Sequence, residues 1–271
     1  MNPSPISSTA NPRVKRVRAL QASRADRLDA GSFVIEGPTL LEEALAAEIP
    51  LAEVFYTEQF VSDPGRAALI EQAGGRGAHM LPVSDDVLRH MADTRTPQGV
   101  LAVLPFVELA MPDDPSFILI LDSVRDPGNL GAILRLATGA AVPLVLLGPG
   151  TVDLYNPKVV RSAMGAHFSL LALPAEWDEI AAYCAGRPVY VADSAGGEPY
   201  YQLDWTQSCA LIVSDEAHGP GPDALRLASQ AVTIPMPGRT ESLNVAMAAG
   251  ILIYEMLRQR VGAEQHGGNG A

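Results

Sequence analysis

In the C-terminal half of the chain, apolar residues fall in short unbroken runs. Phe117–Leu121, Leu144–Leu147, Ser169–Leu173, Val189–Ala192, Ala210–Val213 and Val232–Ile234 each read as a strand. Continuous apolar strands of this length are the pattern of a parallel sheet covered by helices on both faces. Between them the spacing lengthens to that of helices, over Leu130–Gly139, Pro157–Met164, Trp177–Ala185 and, last, Leu243–Gln259. The N-terminal third alternates in the same way. Asn11-Pro12 starts a helix running to about Leu28, with asparagine as cap and proline at the first helical position. Strands are expected over Ser32–Glu36, Val54–Thr57, His79–Pro82 and Gly99–Phe106, and helices over Thr39–Ala47, Pro64–Ala73 and Asp85–Ala92. Alternation at these lengths predicts a small three-layer α/β domain.

The breaks in the pattern set the boundaries. Residues 107–116 include two prolines and three acids without a period, and read as a linker between a domain over 1–106 and a second over 117–260. The Gly-rich polar segment 261–271 is expected to be disordered. With 271 residues, 48% of them hydrophobic, the chain can fill one large or two small cores. It has no apolar run long enough to span a membrane and no apolar signal core at its start, which points to the cytoplasm. Cys184 and Cys209 lie far apart and read as packed free thiols of a reducing compartment. The five histidines and two cysteines show no zinc spacing.

Three stretches carry candidate chemistry. They are Ile120–Ala137 (ILDSVRDPGNLGAILRLA), Leu211–Gly221 (LIVSDEAHGPG) and Thr233–Arg260 (TIPMPGRTESLNVAMAAGILIYEMLRQR). Each begins with a buried strand and passes into a polar loop, and ligands of parallel sheets bind beyond the carboxyl ends of the strands. The loop after Asp126 lacks Gly-x-Gly-x-x-Gly and is not a dinucleotide fingerprint. Asn129 either caps the helix that follows or donates to a ligand oxygen. Arg135 stands among apolar residues, where a cation is costly unless it pairs with Asp122 or Glu216 or reaches a polar site. Glu216 is either an acceptor for backbone N–H groups or an orienter of Arg135 or Asn129. In the third stretch, Pro235 and Pro237 end the strand. Glu241, Ser242 and Asn244 then arrive at a helix N-terminus, where free N–H groups either receive an ordinary cap or hold a ligand.

A net charge of −12 argues against a nucleic-acid partner until its distribution is considered. Residues 1–30 carry Arg13, Lys15, Arg16, Arg18, Arg24 and Arg27 against Asp26 and Asp29, a local +4. This is either a solvated helix face or a phosphate-binding patch, for which a local excess suffices. Lys158 and Arg161 admit the same two readings.

In this order and spacing, the three stretches resemble motifs 1, 2 and 3 of the SpoU (TrmH) branch of the SPOUT RNA methyltransferases. The N-terminal third is similar to that family's accessory substrate-binding domain, so the likeness covers most of the chain. The resemblance implies a ribosomal-protein-like RNA-binding domain followed by a SPOUT parallel-sheet domain. In that domain the C-terminal segment threads a loop into a trefoil knot, which no residue pattern here would reveal. It implies methyl transfer from S-adenosylmethionine to a ribose 2′-hydroxyl of RNA, ribosomal RNA before tRNA, by a homodimer. No metal is needed, because the sulfonium already activates the methyl carbon.

Carried over position by position, Arg135, Asn129, Glu216, Ser242 and Asn244 become catalytic. Asp193, Ser214, Glu216, Gly219, Ile234, Met236, Ser242, Leu243 and Asn244 bind the cofactor, with Ile234 and Leu243 framing the adenine. Arg13, Lys15, Arg16, Arg18, Lys158 and Arg161 become RNA contacts. The loop opened by Asp193 also reads as a plain turn. The family usually has glycine where this chain has Ser214, whose side chain restricts φ where backbone meets cofactor. The usual proposal makes the motif 1 arginine the general base. A guanidinium holds its proton to a pKa above about 12, so Arg135 is expected instead to hold a phosphate and stabilise developing oxyanion character. The apolar last helix, with Met247, Ala248, Ala249 and Ile251, suits either a dimer interface or a monomer core. The alternatives are a catalytically silent RNA-binding protein of the same fold and an α/β enzyme for a small nucleotide.

Overall fold

The structure, a computed structural model, describes residues 4–215, 218–239 and 242–267, with side chains described through Ala263. The chain divides into two compact units. One runs to Glu108 and includes Tyr155–Ser169; the other comprises Leu109–Leu154 and the chain from Leu170 onward.

The N-terminal unit begins with α1 (Pro12–Ala22) and α2 (Arg24–Ala30) where one helix was expected. Ser23 breaks it: its backbone is extended, and its hydroxyl accepts the Asp26 N–H at 3.1 Å, so it caps a new helix. The elements β1 (Ser32–Glu36), α3 (Pro38–Ala46), β2 (Glu53–Tyr56), α4 (Glu58–Val61), α5 (Pro64–Gly75), β3 (His79–Pro82), α6 (Asp85–Met91) and β4 (Val100–Pro105) follow. The four strands lie in the order β1-β4-β2-β3, with only the β2–β3 pair parallel. Alternate residues face opposite layers. Phe33, Ile35, Val54 and Ala102 join the core under α3 and α5, while Val34, Phe55, Leu101 and Val103 join the core under α1 and α6.

The second unit holds β5 (Phe117–Asp122), α7 (Pro127–Gly139) and β6 (Leu144–Leu147). The next helix, α8 (Pro157–Ala163), belongs to the N-terminal unit, although the chain pattern placed it in the second domain. Packing explains this: Val160 and Phe168 are buried in the core with Phe33, and the Tyr155 ring stacks on Phe106 at 4.1 Å between centroids. The second unit resumes with β7 (Ala172–Pro174), α9 (Trp177–Tyr183), β8 (Val189–Ala192), β9 (Glu198–Pro199), β10 (Cys209–Ser214), α10 (Pro222–Leu227), β11 (Gln230–Thr233) and α11 (Val245–Gly267).

Its seven strands pair in the order β7-β6-β5-β10-β8-β11-β9, every pair parallel. Ile118, Ile120, Leu146, Val191 and Ile212 pack with Ile180 of α9 and Ala224 of α10. Helix α11 runs through Gly267, so residues 261–267 are helical rather than the disordered tail expected. Ala263, Glu264 and Gln265 are good helix formers, and no proline stops the helix. Among the described residues, no helix is long and apolar enough to cross a membrane.

Candidate active site

An open pocket lies at the carboxyl ends of β8, β10 and β11. Its bed is apolar, built from Val213, Val232, Ile234, Leu243 and Ala248; its rim carries Asp193, Ser194, Asp215 and Ser242. Of the residues expected at a cofactor, Asp193, Ser214, Gly219, Ile234, Met236, Ser242 and Leu243 line this one space. Glu216 and Glu241 lie outside the described residues. Ala192, Ser194, Val213, Asp215, Pro220, Val232, Val245 and Ala248 also line it and were not anticipated. Most of these are plain aliphatic or strand-end residues, and only their position next to a motif marked them.

Asp122 organises the second motif. This carboxylate ends β5 and is 4% exposed. One oxygen accepts the Gly221 N–H at 2.8 Å and the Ser214 hydroxyl at 3.1 Å; the other accepts the Ser123 hydroxyl at 3.3 Å. The buried charge is thus satisfied by three donors and not by Arg135. Ser214 lines the pocket, yet its hydroxyl is turned to Asp122, which gives the serine a partner at a position where the resembled family has glycine.

Asn129 and Asn244 meet across motifs 1 and 3. Asn129 is not the cap of α7: Asp126 is, and its carboxylate accepts the Asn129 N–H at 2.9 Å. Pro127 occupies the first turn, where its missing N–H costs nothing. Asn244 caps α11 through its side-chain oxygen, which accepts the Ala246 N–H at 3.0 Å. The oxygen being used, its Nδ2 donates to the Asn129 Oδ1 at 3.0 Å. This orientation leaves the Asn129 amide N–H groups without a partner among the described residues.

Asp193 realises both of its readings. Its carboxylate accepts the Ala195 N–H at 2.8 Å, forming a turn, and the residue also lines the pocket. Gly197 in the same loop has φ +143°, and a Cβ there would come within 2.7 Å of the Ala231 backbone; no L side chain fits that approach.

Arg135 does not line the pocket. It is exposed on α7, and no hydrogen bond or ion pair joins it to another described residue. The expected buried pair with Asp122 is therefore absent, because α7 turns this position outward and buries Leu130, Ile133, Leu134 and Ala137 instead. From Asn129 to Arg135 the helix advances about 9 Å and turns the side chain about 120° away.

The basic residues of α1 divide. All four are exposed, but Lys15 and Arg18 have no ion pair among the described residues, while Arg13 and Arg16 face the buried Glu53 at 3.5 and 3.6 Å. Arg27, counted in the local charge, is buried and donates to the Leu20 carbonyl at 2.5 Å. Lys158 is exposed, and Arg161 pairs with Asp93 at 2.6 Å.

Comparison with known proteins bears on the family and the fold. The SpoU rRNA Methylase family matches residues 116–254, and an MRM3-like substrate binding domain matches residues 11–102. The chain is 35% identical over 257 residues to the 23S rRNA (guanosine(2553)-2′-O)-methyltransferase RlmP of Bacillus subtilis, covering 93% of this chain and 98% of that one. The crystal structure of the AdoMet-bound rRNA methyltransferase from Sinorhizobium meliloti superposes with a TM-score of 0.81 at 29% identity, over 93% of this chain and 97% of that one. The SpoU methyltransferase AviRb from Streptomyces viridochromogenes, solved with AdoMet, gives 0.81 at 27% identity, over 93% and 98%.

Proposed function

The chain belongs to the SpoU rRNA methylase family, and from that premise we propose that it transfers a methyl group from S-adenosylmethionine to a ribose 2′-hydroxyl of ribosomal RNA. The observation that carries the reading is the pocket formed jointly by motifs 2 and 3, with Asn129 of motif 1 bonded to Asn244 beside it. An apolar bed with a polar rim, at the carboxyl ends of parallel strands, suits the cofactor. In this reading Ile234 and Leu243 frame the adenine, and Asp193, Ser214, Gly219, Met236 and Ser242 border the rest. Bound there, S-adenosylmethionine supplies a methyl carbon already activated by the sulfonium.

The residues of this chain orient the acceptor. Asn244 fixes Asn129 so that the Asn129 amide N–H groups are free to hold an acceptor oxygen, which restricts the geometry of attack. Arg135 keeps its proton and acts through charge, holding an RNA phosphate and stabilising the developing oxyanion. The hydroxyl proton passes to phosphate or water.

A homodimer belongs to the same reading. Arg135 lies away from its own pocket and is supplied to a site shared between subunits. The stripe Met247, Tyr254 and Val261 on α11, 63%, 45% and 43% exposed at seven-residue spacing, gives the apolar face such contact needs. The knotted path of the C-terminal segment and a cytoplasmic location complete the proposal.

Titration calorimetry with S-adenosylmethionine tests the pocket. Binding by the wild type and a loss of at least about tenfold in Leu243→Arg are expected. Unchanged affinity in that variant would remove the pocket from the account. Labelled methyl transfer into separated ribosomal RNA and tRNA decides the acceptor: label in ribosomal RNA is expected, and label confined to tRNA would overturn that part.

A further inference from the structure

Arg66, Arg89 and Arg95 converge on one basin of the N-terminal unit, away from the basic run of α1. The basin opens where β2 ends and β4 begins; Thr57, Thr96 and Gln98 line it beside the three arginines. Asp85 is the one acidic residue of the lining. A net excess of cations at one spot stands out in a chain of charge −12.

Among the described residues, no buried carboxylate holds any of the three guanidinium groups. Arg66 lies over the Phe60 ring, 5.4 Å from its centroid. Arg89 pairs with Asp86, but their side chains are 59% and 87% exposed, and such a surface pair yields to a stronger anion. Arg95 is exposed and has no ion pair among the described residues. The loop that carries Arg95 and Gln98 is nevertheless pinned. Glu36 accepts the Asp93 and Thr94 N–H groups at 3.2 and 3.4 Å as well as the Thr94 hydroxyl, and Arg161 pairs with Asp93 at 2.6 Å. Gly99 closes the floor with φ +87°, where a Cβ would stand 3.0 Å from Phe60 and 3.2 Å from Thr57. The backbone that carries Arg95 and Gln98 is therefore held in place before any ligand arrives, so binding need order only the side chains.

We propose that this basin binds backbone phosphate of the RNA acceptor, at a single-stranded turn of the RNA. Guanidinium groups match phosphate oxygens two at a time. A concave basin suits a projecting nucleotide better than the side of a duplex, and sequence-specific RNA recognition targets loops and bulges whose bases splay out. The inference rests on the reading that RNA is the acceptor. It gives Arg161, expected to touch RNA, the role of bracing the loop that does.

The test is RNA binding by the full chain over a range of salt, for wild type, the Arg66→Ala/Arg95→Ala pair and the Arg66→Lys/Arg95→Lys pair. The alanine pair is expected to weaken binding about tenfold or more and to lower the slope of log K against log salt by about 1.4, two contacts at about 0.7 each for a single strand. Lysine is expected to restore most of the slope. S-Adenosylmethionine affinity should stay at the wild-type value, and kcat at saturating RNA should change less than KM. If the wild type binds RNA and the alanine pair matches it in affinity and slope, the basin proposal falls and the methyltransferase reading stands. If the wild type binds no RNA, both fall. Binding of adenosine 5′-monophosphate that the alanine pair loses, with RNA affinity unchanged, would assign the basin to a small nucleotide and overturn the proposal.

Discussion

At the scale of single residues, the site depends on which way short polar side chains face. Asn244 spends its oxygen on the helix cap and its amide on Asn129, two roles from one side chain. Asn244→Asp separates them. Aspartate keeps the cap, so stability should move by no more than about 0.5 kcal/mol. It donates nothing to Asn129, so kcat should fall about 10²-fold or more. Thermal unfolding beside single-turnover kinetics reads both, and full activity in the variant would remove the Asn129–Asn244 bond from the mechanism. The resemblance singled out both residues of this pair, while their places at helix starts left each open between a cap and a ligand role; Asp126, not Asn129, caps α7, and Asn244 caps α11. Their bond was not legible in the sequence, since 115 positions separate them. Asp122 was seen only as a candidate partner for Arg135. Its true donors, Ser214 and Gly221, depend on the parallel pairing of β5 with β10, which register alone decides.

At the scale of elements, α11 matters most, because its first turn brings Val245 and Ala248 to the pocket and its cap, Asn244, to Asn129. Its other end is fastened to the start of the sheet. Arg260 donates to the Trp205 and Gln207 carbonyls and to the Ser116 hydroxyl and carbonyl, at 2.8 to 3.1 Å. Gln259 bonds Leu203 and Trp205, both at 3.0 Å. Arg260→Ala leaves those acceptors short of donors and should cost about 1–3 kcal/mol in urea unfolding. An unchanged midpoint would show that water replaces the guanidinium without loss. Apolar runs made most strands and helices readable. The break at Ser23 was hidden because serine is also tolerated within helices, and the transfer of α8 to the other unit was hidden because Val160 and Phe168 are ordinary core residues in either one.

At the scale of the whole molecule, two buried thiols report on pH. Burial raises Cys184 and Cys209 from the ordinary value of 9.0 to about 11. Below 9.0 both are protonated in folded and unfolded chains and contribute no pH dependence. Above it the unfolded chain ionises first, so stability falls as pH rises from about 9 to 11. Urea unfolding near pH 8 and near pH 10.5 should show that fall, and Cys184→Ala/Cys209→Ala should flatten it. An equal fall in the double variant would assign it to other groups. Net charge at this scale is a poor guide, because a chain of −12 still gathers Arg66, Arg89 and Arg95 around one basin.

The most direct test of the account is the fate of a labelled methyl group. Wild type and Arg135→Ala are incubated with S-adenosylmethionine and ribosomal RNA, and the product is hydrolysed in alkali, which cannot cleave beside a methylated 2′-oxygen. The account predicts a labelled alkali-resistant dinucleotide from the wild type. It predicts label reduced about 10²-fold or more in the variant, with cofactor affinity and unfolding midpoint unchanged, since Arg135 is exposed and has no partner among the described residues. Label that alkali releases as mononucleotide, or undiminished transfer by the variant, would contradict it.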